Sequence, residues 1–438
     1  MSAEHLFRFA KDKILSDPVR GLVLLEKAAK QGSRNALYEL IRAYQGFRPE
    51  LREYTDHEKA YALCREYCAE GDGHVFFLLA EMYRLGLSVE RNEKEARRWY
   101  LKAAKRNDIR AMEMLALFFQ REYALFWYKK ILSFPPSAEN LPNRQNAARA
   151  LGDLYRFGIG VEKNFETAAS WYVKCVELRG EKSPLAALYR ENGLSQDAVR
   201  VFSEAAEEGE SEAMYALGSM YRMGEGIKQD KKTAFSWFEK AAVSDLRACD
   251  MLGDMCRTGE GVPLDPAAAI YWYRMAKSGY GLSRIAHMYL AGEGLEKNVE
   301  RGKRYLVLAA GQRDLKAKLE LAELYLSTKP RTTKNMRQAM RHLYRIAQIF
   351  SSGDDGAKCQ EGEKARERLV QIAHAGSVDA MYLLGRIYMT VMEDSERRGK
   401  AKSWLSGAAS EGHVQSAELL KEIFGGTQEE SCELDEGA

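Results

Sequence analysis

At 438 residues, with 46% apolar and 29% charged side chains, the chain is too long for one ordinary compact core. It either divides into about three domains or forms a repeat array, in which each unit buries its apolar face only on its neighbours. A formal net charge of +3 is far from a nucleic-acid signature, and no apolar run approaches the roughly 20 residues of a membrane span.

The first fifteen residues mix charges among the apolar positions and lack a signal-peptide core, so a cytoplasmic location is expected. Nine prolines in the whole chain suit long helical stretches, because proline lacks the amide donor and clashes with the preceding turn. Helical segments centred on Leu24 and Leu63 lead to the first clear unit: Leu79-Ala80, Tyr83, Gly86, Val89, Asn92, Ala96, Trp99-Tyr100, Ala103-Ala104. A second runs Leu151-Gly152, Tyr155, Gly158-Ile159-Gly160-Val161, Asn164, Ala168, Trp171-Tyr172. The fullest copy is Ala213, Leu217-Gly218, Tyr221, Gly224-Glu225-Gly226-Ile227, Asp230, Ala234, Trp237-Phe238, Ala241-Ala242. It returns at Leu252-Gly253, Gly259-Glu260-Gly261, Asp265 and Trp272-Tyr273, and again at Ile285-Ala286, Gly292-Glu293-Gly294, Asn298 and Tyr305. Weaker second helices centre on Trp127, Val201, Leu343 and Trp404, giving about ten or eleven units. Around Leu115–Trp127 and Leu185–Val201 the glycine loop is shortened.

Each recurring residue has a mechanical reason. The spacing of Ala213, Leu217, Gly218 and Tyr221 predicts one buried stripe of a first helix, and the small residue lets a neighbouring helix approach. Gly224 suits a left-handed C-terminal cap, Ile227 plugs the gap beneath the loop, and Asp230 is placed to cap the second helix. Ala234, Trp237 and Ala241 are expected on that helix's buried face. Prolines in Ser133-Phe134-Pro135-Pro136-Ser137 mark one break, a flexible point near 133–146, and Ser351-Ser352-Gly353-Asp354-Asp355-Gly356 marks another, near 351–363, before an extra helix at Leu369. The expected organisation is one domain over 1–424, closed by a capping helix at about 413–424. An acidic disordered tail follows at 425–438, whose Glu429, Glu430, Glu433, Asp435 and Glu436 leave the preceding residues at +8.

These residues resemble the Sel1-like repeat family, relatives of the tetratricopeptide repeats with a longer, glycine-containing loop. The resemblance implies an all-α, right-handed α-solenoid of helix–loop–helix repeats whose first helices line a concave face.

No chemistry competes with that reading. The Gly-x-Gly loops follow helices rather than strands and lack a P-loop lysine, so no nucleotide cofactor is expected. The seven cysteines give neither a disulfide framework nor zinc-site spacing, so no metal is expected; buried reduced thiols are. The seven histidines and the absence of a nucleophile motif give no catalytic constellation, and the chain is read as no enzyme.

The non-core positions of the first helices carry the candidate binding residues. Arg84, Arg156, Arg190, Arg222 and Arg257 stand four residues beyond the small residue, and Glu81, Asp153 and Asp254 stand one beyond it. The arginines are candidates for acidic groups on a protein or peptide partner; the alternative is pairing with the acid at i−3 in the same helix. Tyr38, Phe77, Tyr215 and Tyr382 form an aromatic column one turn before the small residue, suited to anchoring a partner or to packing. The leading expectation is therefore a scaffold or adaptor that binds a protein along its concave face, with no nucleic acid. The resemblance also allows an immunity or inhibitor protein that occludes a toxin or enzyme, and an exopolysaccharide-assembly component.

Overall fold

Capping residues set the helix boundaries in the computed structural model, which describes residues 2–119, 123–312, 314–327, 332–352, 360–389 and 395–424. Two units are described separately, Met1–Ala213 and Met214–Ala438. In the first, the helices are α1 (Ala3–Ser16), α2 (Pro18–Lys30), α3 (Arg34–Tyr44), α4 (His57–Tyr67), α5 (Gly73–Leu85) and α6 (Glu93–Lys105). They continue as α7 (Ile109–Met114), α8 (Ala124–Ser133), α9 (Leu141–Phe157), α10 (Phe165–Glu177), α11 (Ser183–Glu191) and α12 (Ser195–Glu207). Helix α13 (Ser211–Met223) begins at the end of this unit and precedes α14 (Lys231–Ala241), α15 (Leu246–Thr258), α16 (Pro266–Ala276), α17 (Gly279–Ala291) and α18 (Val299–Gly311). The second unit ends with α19 (Leu315–Ser327), α20 (Thr333–Ser352), α21 (Gln360–His374), α22 (Val378–Met389), α23 (Ser395–Ser410) and α24 (Val414–Phe424). No strand occurs among the described residues.

The chain is an all-α solenoid of helical hairpins. Pairs such as α5–α6, α9–α10, α15–α16 and α17–α18 share the most extensive contacts, and within each unit successive pairs meet, as α10 meets α11 and α16 meets α17. Within a repeat, a left-handed glycine ends the first helix, as at Gly259 with φ 73°. The capping residue then turns the chain back: Asp265 donates its backbone N–H to the Cys256 carbonyl at 2.8 Å, while its side chain accepts from the amides of Ala267 and Ala268. Asn92, Asn164, Asp230 and Asn298 repeat both bonds. The second loop glycine has a separate job. A β-carbon on Gly261 would lie 2.5 Å from the Lys231 backbone at the start of α14, so this loop seats directly on the previous repeat.

The core is a succession of clusters along each unit rather than one centre. Its largest fully buried side chains include Tyr100, Tyr172, Phe238 and Tyr273. This corrects one expectation: the second member of the aromatic pair fills the core, and Trp237 is only half-buried. Both aromatics lie within one turn of Ala234 and Ala241, and the one whose ring seats on Gly218 of the first helix is Phe238.

The small residue of the first helix is where that ring lands. β-Carbons added at Gly152, Gly218 and Gly253 would lie 2.4, 2.8 and 2.6 Å from the rings of Tyr172, Phe238 and Tyr273. At Gly385 the same role falls to Leu405, 2.6 Å away.

The loop between α11 and α12 is short, as expected, with only residues 192–194. The connection at 134–140 is pinned by the buried Arg144, whose guanidinium donates to the carbonyls of Leu132 and Phe134. Helix α21 occupies the place of the extra helix and α24 that of the terminal one. The glycine-aspartate segment from 353 and the acidic tail from 425 lie outside the described residues.

Gly253→Ala is expected to lower stability by about 1–3 kcal/mol through overpacking. Gly399→Ala, on exposed α23 with nothing within 4 Å of the added carbon, should instead raise it by roughly 0.5–1 kcal/mol. Thermal unfolding of both variants checks the contrast.

Candidate functional site

The acid one position beyond the small residue serves the aromatic core first. Tyr172 donates its hydroxyl to Asp153 at 2.6 Å, Tyr273 donates to Asp254 at 2.7 Å, and Tyr100 donates to Glu81; each pair spans 19 residues. Burial, then the neighbouring carboxylate, raises the Tyr100 and Tyr273 phenols above their ordinary range, so they remain proton donors. Where the ring has no hydroxyl the acid is missing as well: Phe238 faces a repeat with Ser219, and Leu306 one with His287. A phenol buried without an acceptor is costly, and so is an acceptor without a donor; the two positions therefore change together.

The arginines find their carboxylates in different places. Only Arg84 follows the intrahelical alternative, making two hydrogen bonds to Glu81 at 3.1 and 2.7 Å. Arg222 reaches Glu260 in the following repeat through Nε at 2.9 Å and Nη2 at 3.3 Å. Arg257 reaches Glu293 at 3.3 Å, and Arg156 holds Glu191 through Nε at 2.9 Å and through Nη2. Glu260 and Glu293 are the central residues of Gly-Glu-Gly loops. Arg222 and Arg257 therefore clip their helices to the loop of the next repeat, Arg156 clips its helix to the last residue of α11, and the Arg222 bond holds the Glu260 carboxyl below its usual range. Arg190 lies in the last turn of α11.

The aromatic column is partly exposed, and each ring is covered by a residue from the next repeat. His74 stacks on Tyr38 with centroids 3.8 Å apart, and the Tyr38 hydroxyl donates to Asp72 at 2.5 Å. Arg110 lies 4.7 Å over Phe77, Arg247 lies 4.7 Å over Tyr215, and His413 lies 4.6 Å from Tyr382. Burial, then the Arg110 charge, pushes His74 down to about 3, so a neutral imidazole faces the ring.

Asp250, one turn before Asp254, was not singled out by sequence reasoning. It is half-buried beside Gly281 and accepts from the Ser278 hydroxyl at 2.8 Å. Burial, with a contribution from the Asp254 charge, pushes its carboxyl up to about 6 against the Ser278 bond. No repeating motif marks it, because its environment comes from the start of α17.

Among the described residues, no group of three His, Cys, Asp or Glu side chains is arranged to hold a metal. Cys64, Cys68, Cys175, Cys249 and Cys256 are free thiols; burial, with smaller effects from nearby charges, raises Cys175 to about 11. No described helix is long and apolar enough to cross a membrane.

A family model described as Sel1 repeat matches residues 7–33, 77–108, 145–174, 211–242, 246–280, 279–314 and 378–413, together more than half of the chain. An uncharacterized protein of Neisseria meningitidis serogroup B, NMB1327, is 28% identical over 251 residues, which is 55% of this chain and 49% of the relative. The chain thus spans about half the length of that curated relative. The c5321 structure, a protective antigen of uropathogenic Escherichia coli strains displaying an SLR fold, is 22% identical. That match covers 92% of this chain and 82% of the other with a TM-score of 0.46. A Sel1 repeat protein from Oxalobacter formigenes is 26% identical, covering 61% and 96% with a TM-score of 0.38.

The Arg222–Glu260 clip is half-exposed, so a double-mutant cycle with Arg222→Met and Glu260→Gln should give a coupling near the exposed-pair range, about 0.5–1 kcal/mol. Asp250 gives a pH signature. Its folded pKa is raised, so it binds its proton more tightly folded than unfolded. Its contribution is therefore greatest below the unfolded value of 3.8 and is lost as pH rises through about 6. Asp250→Asn should accordingly gain Tm relative to the parent between pH 4 and 7.

Proposed function

This chain belongs to the Sel1 repeat family, and we propose that it is a non-catalytic adaptor that holds a protein or extended peptide along the face built by its first helices. Repeats of this family mediate protein–protein interaction. One observation carries the finer reading. In both units, half-buried aromatic rings recur at the same position of the repeat, each backed by an arginine or histidine from the next repeat: Phe77 with Arg110, Tyr215 with Arg247, Tyr382 with His413. Partly exposed aromatics on rigid helices make good anchors, since little rotamer freedom remains to be lost on binding.

In this reading the arginines at 84, 156, 222 and 257 brace the face, because carboxylates of the chain already hold them. A partner would meet their outer edges and the rings between them. A single stoichiometric enzyme partner would make the protein an inhibitor; several partners would make it an adaptor.

The test compares proteins co-purified by the parent, by Tyr215→Ser/Tyr382→Ser, and by Arg110→Ala/Arg247→Ala, with helicity checked by circular dichroism. Loss of the same partners from either folded variant is expected. Full retention by both would move binding off this face.

A further inference from the structure

A second surface lies between the second helices α16 and α18, over the end of α17. Here a cavity of about 620 Å³ is lined by Arg274, Lys277, Arg301 and Arg304, by Tyr289 and Tyr305, and by two leucines. No carboxylate is among its lining residues. All four cationic residues are exposed, and none pairs with an acid among the described residues, unlike Arg222 and Arg257 nearby. The two tyrosine rings stack with centroids 5.9 Å apart and planes within 8°, and Arg301 lies 5.7 Å over Tyr289. The site is therefore a rigid aromatic wall carrying four uncompensated positive charges.

The architecture does not force this composition. The related groove between α2 and α4 in the first unit has a volume of about 280 Å³ and carries both signs of charge: Glu26, Glu66, Lys30 and Lys59. There the Tyr44 hydroxyl donates to Glu26, and Lys59 pairs with Asp56 at 3.0 Å while lying over the Tyr44 ring. That groove satisfies itself. The α16–α18 groove leaves like charges side by side, a repulsion that a ligand bringing carboxylates would relieve.

We propose that the α16–α18 pocket binds an acidic peptide segment, with carboxylates on Arg274, Lys277, Arg301 and Arg304 and a large apolar side chain against Tyr289, Tyr305 and Leu308. The choice of a peptide over a small anion rests on the protein-binding reading above and on the apolar share of the wall, which inorganic anions cannot use. The surface is separate from the aromatic row on the first helices, so the two can be tested apart.

The experiment presents the full chain to an array of short peptides in which carboxylate number and large apolar content vary independently. Inorganic pyrophosphate serves as competitor. Parent binding should rise with both properties, weaken with salt, and fall at least about tenfold in Arg301→Glu/Arg304→Glu, roughly the effect of losing one good charge contact. Both positions are exposed, and helicity is measured alongside. Tyr215→Ser/Tyr382→Ser should leave the array signal unchanged. If binding follows that variant and ignores the charge reversal, the pocket proposal falls while the first-helix reading stands. Absence of carboxylate-dependent binding overturns it, as does pyrophosphate displacing the peptides while apolar content makes no difference.

Discussion

Everything in this molecule depends on how closely two helices of a hairpin approach. A tyrosine or phenylalanine of the second helix lies flat on the backbone of the first, where glycines such as Gly152, Gly218 and Gly253 leave no room for a β-carbon. Burying such a ring contributes roughly 1.5–3 kcal/mol. An isolated hairpin still has apolar faces to cover, so neighbours are needed on both sides. The ring also sets the polar chemistry beside it. A hydroxyl carried that deep requires an acceptor, and Asp153 and Asp254 are that acceptor. Having taken those acids, the phenols leave Arg156 and Arg257 to find carboxylates in the following repeat.

The candidate surfaces follow from this division of labour. On the first helices, the charges lie within reach of opposite charges from the same chain, and the half-exposed rings are the groups left for a partner. In the α16–α18 groove, the cationic residues have no such partners among the described residues, and the same kind of aromatic wall is left carrying their charge. Protein recognition favours anchors that are already rigid and charges that are not already neutralised. The two surfaces divide these properties between them.

Much of the fold was legible because the repeat wrote it several times. The left-handed glycines, the Asp and Asn caps and the shortened loop at 192–194 follow from local backbone rules that neighbours do not override. The buried aromatic was misread at Trp237, because the register relative to Ala234 and Ala241 suits Trp237 and Phe238 equally, and the choice is made by the seat on Gly218 in the other helix. The arginine clips were missed because they join positions 35 to 38 residues apart, beyond any window for helical pairing. A signal was present nonetheless: the loop glutamates recur about one repeat after the arginines. The concert of Tyr100 with Glu81 and of Phe238 with Ser219 was readable in the same way, by comparing the repeats with one another. Asp250 and the α16–α18 groove had no such signal, because their character comes from departures specific to one place.

The arginine clip has one more consequence, for how such a chain grows. Each repeat that takes part carries the donor on its first helix and the acceptor in its loop, so a duplicated copy arrives with both halves of the junction. Inserted between Gly218 and Gly259, for example, a copy would offer its glutamate to Arg222 and its arginine to Glu260, and no existing residue would need to change first. A joint that is complementary head to tail lets the array lengthen by genetic duplication without an unpaired intermediate. Arg84, paired with Glu81 inside its own helix, lacks that property and marks a junction where a new copy would have to make its contacts afresh.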